Sequence, residues 1–144
     1  MTLKSVYFDE LSTTQLYELL KARAQIFVVE QNCVYQDLDD RDYDSLHIYY
    51  ESEGRVSAYL RSYIIEGDLP ECITGARIGH TNNSLPGKPI AVRVGRVLTM
   101  EHGNGLGAKL LKEGIEQIIK KQNPDYIYIE AQCYATGFYE KFGF

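Results

Sequence analysis

The chain has no tryptophan, only three cysteines and only four prolines in 144 residues. Without tryptophan, aromatic packing falls to twelve tyrosines and five phenylalanines, a richness with no single meaning. Cys33, Cys72 and Cys133 are odd in number and form no Cys-x-x-Cys pair. That argues against a disulfide frame or a zinc site and for reduced cytosolic thiols, so we expect no metal. No apolar run is long enough to cross a membrane, and the opening MTLKSVYFDE lacks a secretory leader's pattern. Positive charge is in deficit: 15 Lys and Arg face 20 Asp and Glu, a net charge of −5. The whole-chain charge therefore offers no case for nucleic-acid binding. We expect a cytoplasmic protein with neither membrane nor nucleic acid as partner.

What is present is ordinary for one soluble globular domain, 44% hydrophobic and 24% charged. We read residues 1–144 as a single domain without internal repeats. Residues 3–8 predict an opening strand. Ser12 and Gln15 stand at capping-box spacing. Leu16, Leu19, Leu20, Ala24, Phe27 and Val28 then predict a helix to about Val29. Residues 31–44 predict a loop or short helix holding Asp37, Asp39, Asp40, Asp42 and Asp44. That run lacks the glycine and closing glutamate of a calcium loop. It reads as a solvated acidic face, or as a lure for a cationic amine. Residues 46–51 and 56–65 predict a hairpin turning at Glu53-Gly54. Residues 68–88 form a long connection, with Pro70, Pro86 and Pro89 in or against it, and loops of that length are often functional or mobile.

Residues 90–100 predict a strand, followed by Gly103, Gly105 and Gly107, and then a helix to about Lys121. Its apolar side is Leu106, Leu110, Leu111, Ile115, Ile118 and Ile119. Asn123-Pro124-Asp125 stops that helix. Residues 126–130 predict a short strand and 135–141 a short helix. The order β-α-loop-β-β-β-α-β-α is α+β with a mixed sheet. A glycine turn opening a helix aims unpaired N–H groups outward beside the positive end of the helix dipole, a place to hold phosphates. Three phosphate-binding turns compete for it. The P-loop needs Gly-Lys-Ser/Thr, and Lys109 comes too late with no hydroxyl after it. The dinucleotide fingerprint needs glycines at first, third and sixth positions, and here they fall at first, third and fifth. The bland alternative is a glycine loop capping a core helix.

The third reading is a resemblance. His102-Gly103-Asn104-Gly105-Leu106-Gly107 resembles the Arg/Gln-x-x-Gly-x-Gly/Ala pyrophosphate loop of the GNAT acetyltransferases, with His102 in the Arg/Gln place. One helix and one strand later, Gln132-Cys133-Tyr134-Ala135-Thr136-Gly137-Phe138-Tyr139-Glu140-Lys141-Phe142-Gly143-Phe144 resembles the GNAT signature Asn-x-x-Ala-x-x-Phe/Leu-Tyr-x-Lys-x-Gly-Phe, with Gln132 in the Asn place. Arg23-x-x-x-Phe27-Val28-Val29-Glu30-Gln31, Asp39-x-x-Asp42 and His47 look like the ElaA branch of that family. The resemblance spans most of residues 16–60 and 92–144 but not the connection 68–88. The family usually continues past Gly143-Phe144 with one or two strands. Their absence leads us to expect an open edge at the strand 126–130, covered by a homodimer or by the long connection.

The resemblance implies a GNAT fold and acetyl transfer from acetyl-CoA to an amine, small molecule or peptide, by direct attack in a ternary complex. It implies cofactor contacts from Val97, Leu98, Thr99, His102, Gly103, Asn104, Gly105, Leu106, Gly107, Ala108 and Gln132. A backbone N–H near Leu98 would polarise the thioester carbonyl. Tyr139 stands at the family's general-acid position. Glu30 and His47, with Glu101, are the candidate bases. Cys133 reads as a packing residue rather than a nucleophile. Two other readings remain: an autoinducer-synthase type of acyltransferase, and an inactive module that binds CoA or a protein partner.

Overall fold

The computed structural model describes residues 1–65 and 90–129. The connection 68–88, Glu130, Gln132, Cys133, the helix expected at 135–141 and Tyr139 lie outside the described residues. Five strands form one sheet in the order β1-β2-β3-β4-β5: β1 Thr2–Tyr7, β2 Leu46–Ser52, β3 Arg55–Ile65, β4 Ala91–Thr99 and β5 Tyr126–Ile129. The first four pair antiparallel and β5 joins β4 in parallel. A parallel neighbour needs a crossover, and helix α2, Leu106–Gln122, supplies it. Helix α1, Thr13–Arg23, packs on the opposite face. This is the expected α+β architecture with a mixed sheet.

Local chemistry explains the ends of these elements. Gln15 N donates to Ser12 Oγ at 3.1 Å and Ser12 N to Gln15 Oε1 at 2.8 Å, closing the capping box of α1. Glu53 and Gly54 both take positive φ, +52° and +75°, as a two-residue turn matched to strand twist requires. Asn123 ends α2 in the left-handed region, its N–H donating to Ile119 O. Ile90 and Asp125 then lash the start of β4 to that of β5: Ile90 N donates to Asp125 Oδ2, and Asp125 N to Ile90 O, both at 2.7 Å.

The sheet separates two apolar layers. Leu46, Ile48, Ala58, Leu60, Val92 and Val94 meet Leu110, Leu111 and Ile118 of α2. Tyr49, Tyr59 and Leu98 meet Leu19, Ala22, Ile26 and Phe27 on the other side. Gly114 allows α2 to sit close, since a Cβ there would lie 2.9 Å from Leu60 Cδ2.

Two departures from the expected elements matter. The first helix does not run on as α to Val29. From Ala24 to Glu30 it widens into a π-helix, with Gln31 N donating to Ile26 O five residues back. Each wider turn adds a residue and shifts the phase of the buried stripe. Ile26 is therefore buried, whereas Val28, expected on the apolar stripe, is exposed. The second departure is a bulge in β4. Tyr59 pairs with Leu98, yet Arg61 pairs with Gly95, so Arg96 and Val97 together oppose Leu60. Arg96 takes φ +53°, a left-handed conformation that costs a non-glycine residue about 1–3 kcal/mol.

Candidate active site

That bulge inverts the facing of β4. In an unbroken strand Arg96 and Leu98 would share the α2 face with Val92 and Val94. Instead Leu98 joins the layer beneath α1, and the Arg96 side chain reaches the 31–45 connection. Ladder alternation also fixes which N–H groups face which neighbour. Met100 N donates to Ser57 O on β3, so Leu98 N–H points to β3 as well, while those of Val97 and Thr99 point toward the β5 side. Pairing with β5 runs from Ala91↔Tyr126 to Val94↔Ile129, so among the described residues nothing pairs with Val97 or Thr99 on that side.

Beyond Thr99 the chain enters the glycine turn. Gly103 and Gly105 take φ +82° and +75°, and a Cβ at either would meet nothing within 4 Å. Asn104 Oδ1 accepts from Leu106 N at 3.1 Å, and Gly105 O from Lys109 N at 3.2 Å. The N–H groups of Gly107 and Ala108 fall in the first turn, where a helix has no acceptor for them. Residues 97–99 and 101–108 line one cavity of about 350 Å³. Ten of the eleven expected cofactor residues are thus brought together, and Gln132 lies outside the described residues. A larger cavity, about 680 Å³, opens from the same turn toward Arg55 and the β2–β3 hairpin, but it lacks the edge at 97–99.

The expected bases have different surroundings. Glu30 ends the π-helix, exposed, with Oε2 3.6 Å from Nε2 of His102 on the groove rim. Glu101 lines the groove near Asn104. His47 is buried, with Nε2 2.9 Å from Asp42 O and Nδ1 2.7 Å from Tyr59 Oη. A carbonyl only accepts, so Nε2 carries the proton and Nδ1 accepts from the phenol. Burial holds Tyr59 as a phenol by raising its pKa. Burial first, then the charges of Arg23 and Arg61, lower the pKa of His47 against the opposing pull of Asp42. Both ring nitrogens are engaged by the protein itself.

The acidic run is only partly a solvated face: Asp40 and Asp44 are exposed, while the other three are ion-paired. Asp37, Asp39 and Asp42 are clamped by one arginine from each of α1, β3 and β4. Arg23 Nη1 reaches Asp42 Oδ1 at 2.6 Å and its Nε lies 3.0 Å from Asp37 Oδ2. Arg61 forks onto Asp39, at 2.7 and 2.5 Å, and reaches Asp42 at 2.9 Å. Arg96 Nε lies 2.9 Å from the other oxygen of Asp37. Residues 14 to 59 positions apart in sequence meet here. The ElaA-like pattern singles out Arg23, Asp39, Asp42 and His47 without showing that they meet. Arg61, which joins them, is signalled only by its place between Tyr59 and Tyr63 at alternating strand positions.

Stability should fall in two stages as pH is lowered. The unfolded chain takes up a proton at histidine near pH 6.5, which the lowered pKa of His47 opposes in the fold. Stability present above pH 6.5 is therefore lost below it. Partial burial pushes the Asp39 carboxyl up, but hydrogen bonds and charge from Arg61 outweigh it and bring it from 3.8 to about 2. Its contribution is complete above about pH 4 and disappears as pH falls through about 2. Urea melts from neutral to strongly acidic buffer measure both stages, and stability that rises on acidification would contradict them.

A strand edge running into the open first turn of a helix is the groove that the resemblance to the GNAT family implies, and the comparisons support that family. Residues 92–144 match the family model for an acetyltransferase (GNAT) domain. Protein ElaA of Escherichia coli is 32% identical over 98% of this chain and 82% of its own length. Its crystal structure superposes with TM-score 0.77, at 30% identity, over 98% of this chain and 84% of that one. An acyl-CoA N-acyltransferase from Pseudomonas aeruginosa gives TM-score 0.74 at 28% identity, covering 99% and 87%. The fold is shared with a predicted acetyltransferase from Clostridium acetobutylicum solved with acetyl-CoA, TM-score 0.65 at 15% identity, covering 99% and 88%. The chain belongs to the GNAT acetyltransferase family and is ElaA-like.

Proposed function

We propose that this protein transfers an acetyl group from acetyl-CoA to a primary amine by direct attack within a ternary complex. The observation that supports this best is the groove, where the strand edge at 97–99, unpaired among the described residues, runs directly into the open first turn of α2. The residues fit the group: the N–H groups of Gly107 and Ala108, in the first turn of α2, would hold the pyrophosphate, and glycines leave room where a side chain would stand. Acetyl-CoA would supply the acyl thioester. Its pantetheine arm resembles a peptide, so Thr99 binds it as a neighbouring strand would. Because the turn at 102–108 follows Thr99, a donor bound this way would carry its thioester end beside Val97. The N–H of Val97, which faces the β5 side, is then placed to polarise the carbonyl, in preference to that of Leu98, which faces β3.

Glu30, exposed beside the groove rim, is the better-placed base for the incoming amine, since the nitrogens of His47 are already engaged. Tyr139 gives its phenolic proton to the departing thiolate. The reducing cytoplasm suits the free thiol of Cys33.

Acetyl-CoA at a hundred times its Kd should stabilise the fold by about 2.7 kcal/mol. Gly105→Asp should remove that gain by setting a carboxylate against the pyrophosphate. Open space around Gly105 lets the variant fold, and aspartate tolerates positive φ better than most residues. Only the backbone of His102 is needed, so His102→Ala should lose less. Thermal shift with and without acetyl-CoA reads both; an undiminished shift in Gly105→Asp would refute the groove assignment.

A further inference from the structure

Arg96 is the residue on which the groove and the clamp meet. Its backbone forms the left-handed bulge immediately before Val97. Its guanidinium lies 2.9 Å from Asp37 Oδ1, donates to Asp37 O at 3.1 Å, sits 3.5 Å from Asp39 Oδ2 and stacks 5.0 Å from the Tyr35 ring. Asp37 holds Arg23 with its other oxygen, so the connection is tied to α1 and to β4 through one carboxylate. The α2 face of the sheet is filled with packed side chains. The α1 face is packed too where Leu98 meets α1, but the Tyr35 ring lies beside Arg96 and Glu30 beside His102 at the groove rim, and this is the side on which an amine would meet the acyl carbon. A bulge at Arg96 accomplishes two things that an unbroken strand cannot: it frees the Val97 N–H from β3 and turns the side chain of Arg96 onto the amine side.

We propose that Arg96 is a positioning residue that couples the acyl-donor groove to the 31–45 connection, so that filling the groove orders the wall against which the amine binds. This rests on the proposed function, because the donor in the groove is acetyl-CoA. Bound acetyl-CoA makes β4 at 97–99 an interior strand. The bulge backbone can then shift only together with its guanidinium, which holds Asp37, Asp39 and Tyr35.

Hydrogen exchange with acetyl-CoA as the probe tests the coupling without knowledge of the acceptor. In the parent, acetyl-CoA should slow exchange at 97–99, and also at 33–40 by about fivefold or more, the low end of ordinary coupling between sites. Arg96→Gly accepts the left-handed φ without strain and removes the side chain, guanidinium included. In that variant the protection at 97–99 should remain and the response at 33–40 should disappear. Arg96→Lys keeps a cation without the planar fork and should respond in between. It also serves as the test protein if Arg96→Gly does not fold. A merely structural arginine would loosen 33–40 equally with and without acetyl-CoA, which overturns the inference, as does a parent whose 33–40 amides ignore acetyl-CoA while 97–99 are protected. If acetyl-CoA leaves 97–99 unprotected in the parent, the proposed function fails and the coupling fails with it.

Discussion

Asp42→Ala should destabilise the fold by about 3–5 kcal/mol, the cost of removing one carboxylate from a buried ion-pair cluster. Asp42 is 6% exposed, and one of its oxygens receives both Arg23 at 2.6 Å and Arg61 at 2.9 Å. Those arginines are themselves 1% and 3% exposed, so once Asp42 is lost each keeps only its second carboxylate, Asp37 for Arg23 and Asp39 for Arg61. The same aspartate's backbone carbonyl accepts from His47, which ties the clamp to the neutral imidazole. The expected loss is a large share of the ~5–15 kcal/mol that holds a typical domain together. Asp44 belongs to the same acidic run but is exposed, and Asp44→Ala should fall within about 0.5 kcal/mol of the parent. Urea unfolding of the two variants side by side separates the readings. Equal, small effects would mean that the run is a solvated face after all, and the clamp would lose its structural role.

Tyr139→Phe should lower turnover by about 10²–10⁴, the usual contribution of a positioned proton donor. The departing CoA thiolate must acquire a proton, and the resemblance puts this phenol at the family's general-acid position. Phenylalanine preserves the ring and its packing, so acetyl-CoA should raise the melting temperature of the variant as much as that of the parent. That pattern is the reverse of the one expected for Gly105→Asp, in which binding itself is lost. Steady-state rates with a panel of primary amines, read as thiol release, supply the measurement. A rate within a few-fold of the parent would retire the role and leave Tyr139 as a packing residue.

Much of the chemistry was legible because it is local. The capping box at Ser12 and Gln15, the turn at Glu53-Gly54, and the strand, glycine turn and helix from β4 into α2 each depend on residues a few positions apart. Short-range sterics and side-chain periodicity suffice to read them. The groove lining was legible for the same reason, since all eleven of its residues lie between 97 and 108.

Tertiary structure alone decided the rest. Whether Asp37 meets water or Arg96 depends on which face of β4 the arginine takes. A one-residue bulge inverts that face without a glycine at its left-handed position to announce it. The widening of the first helix into a π-turn likewise moved burial from Val28 to Ile26, because phase along a helix accumulates with every turn. The role of His47 changed once Asp42 and Tyr59 were brought against its two nitrogens. Motif resemblance pointed to the family, and local spacing to the order of elements and the glycine turn. Register, set by long-range pairing, decided which charges are buried together and which histidine nitrogens remain for chemistry, because a shift of one residue along a strand reverses every side chain beyond it.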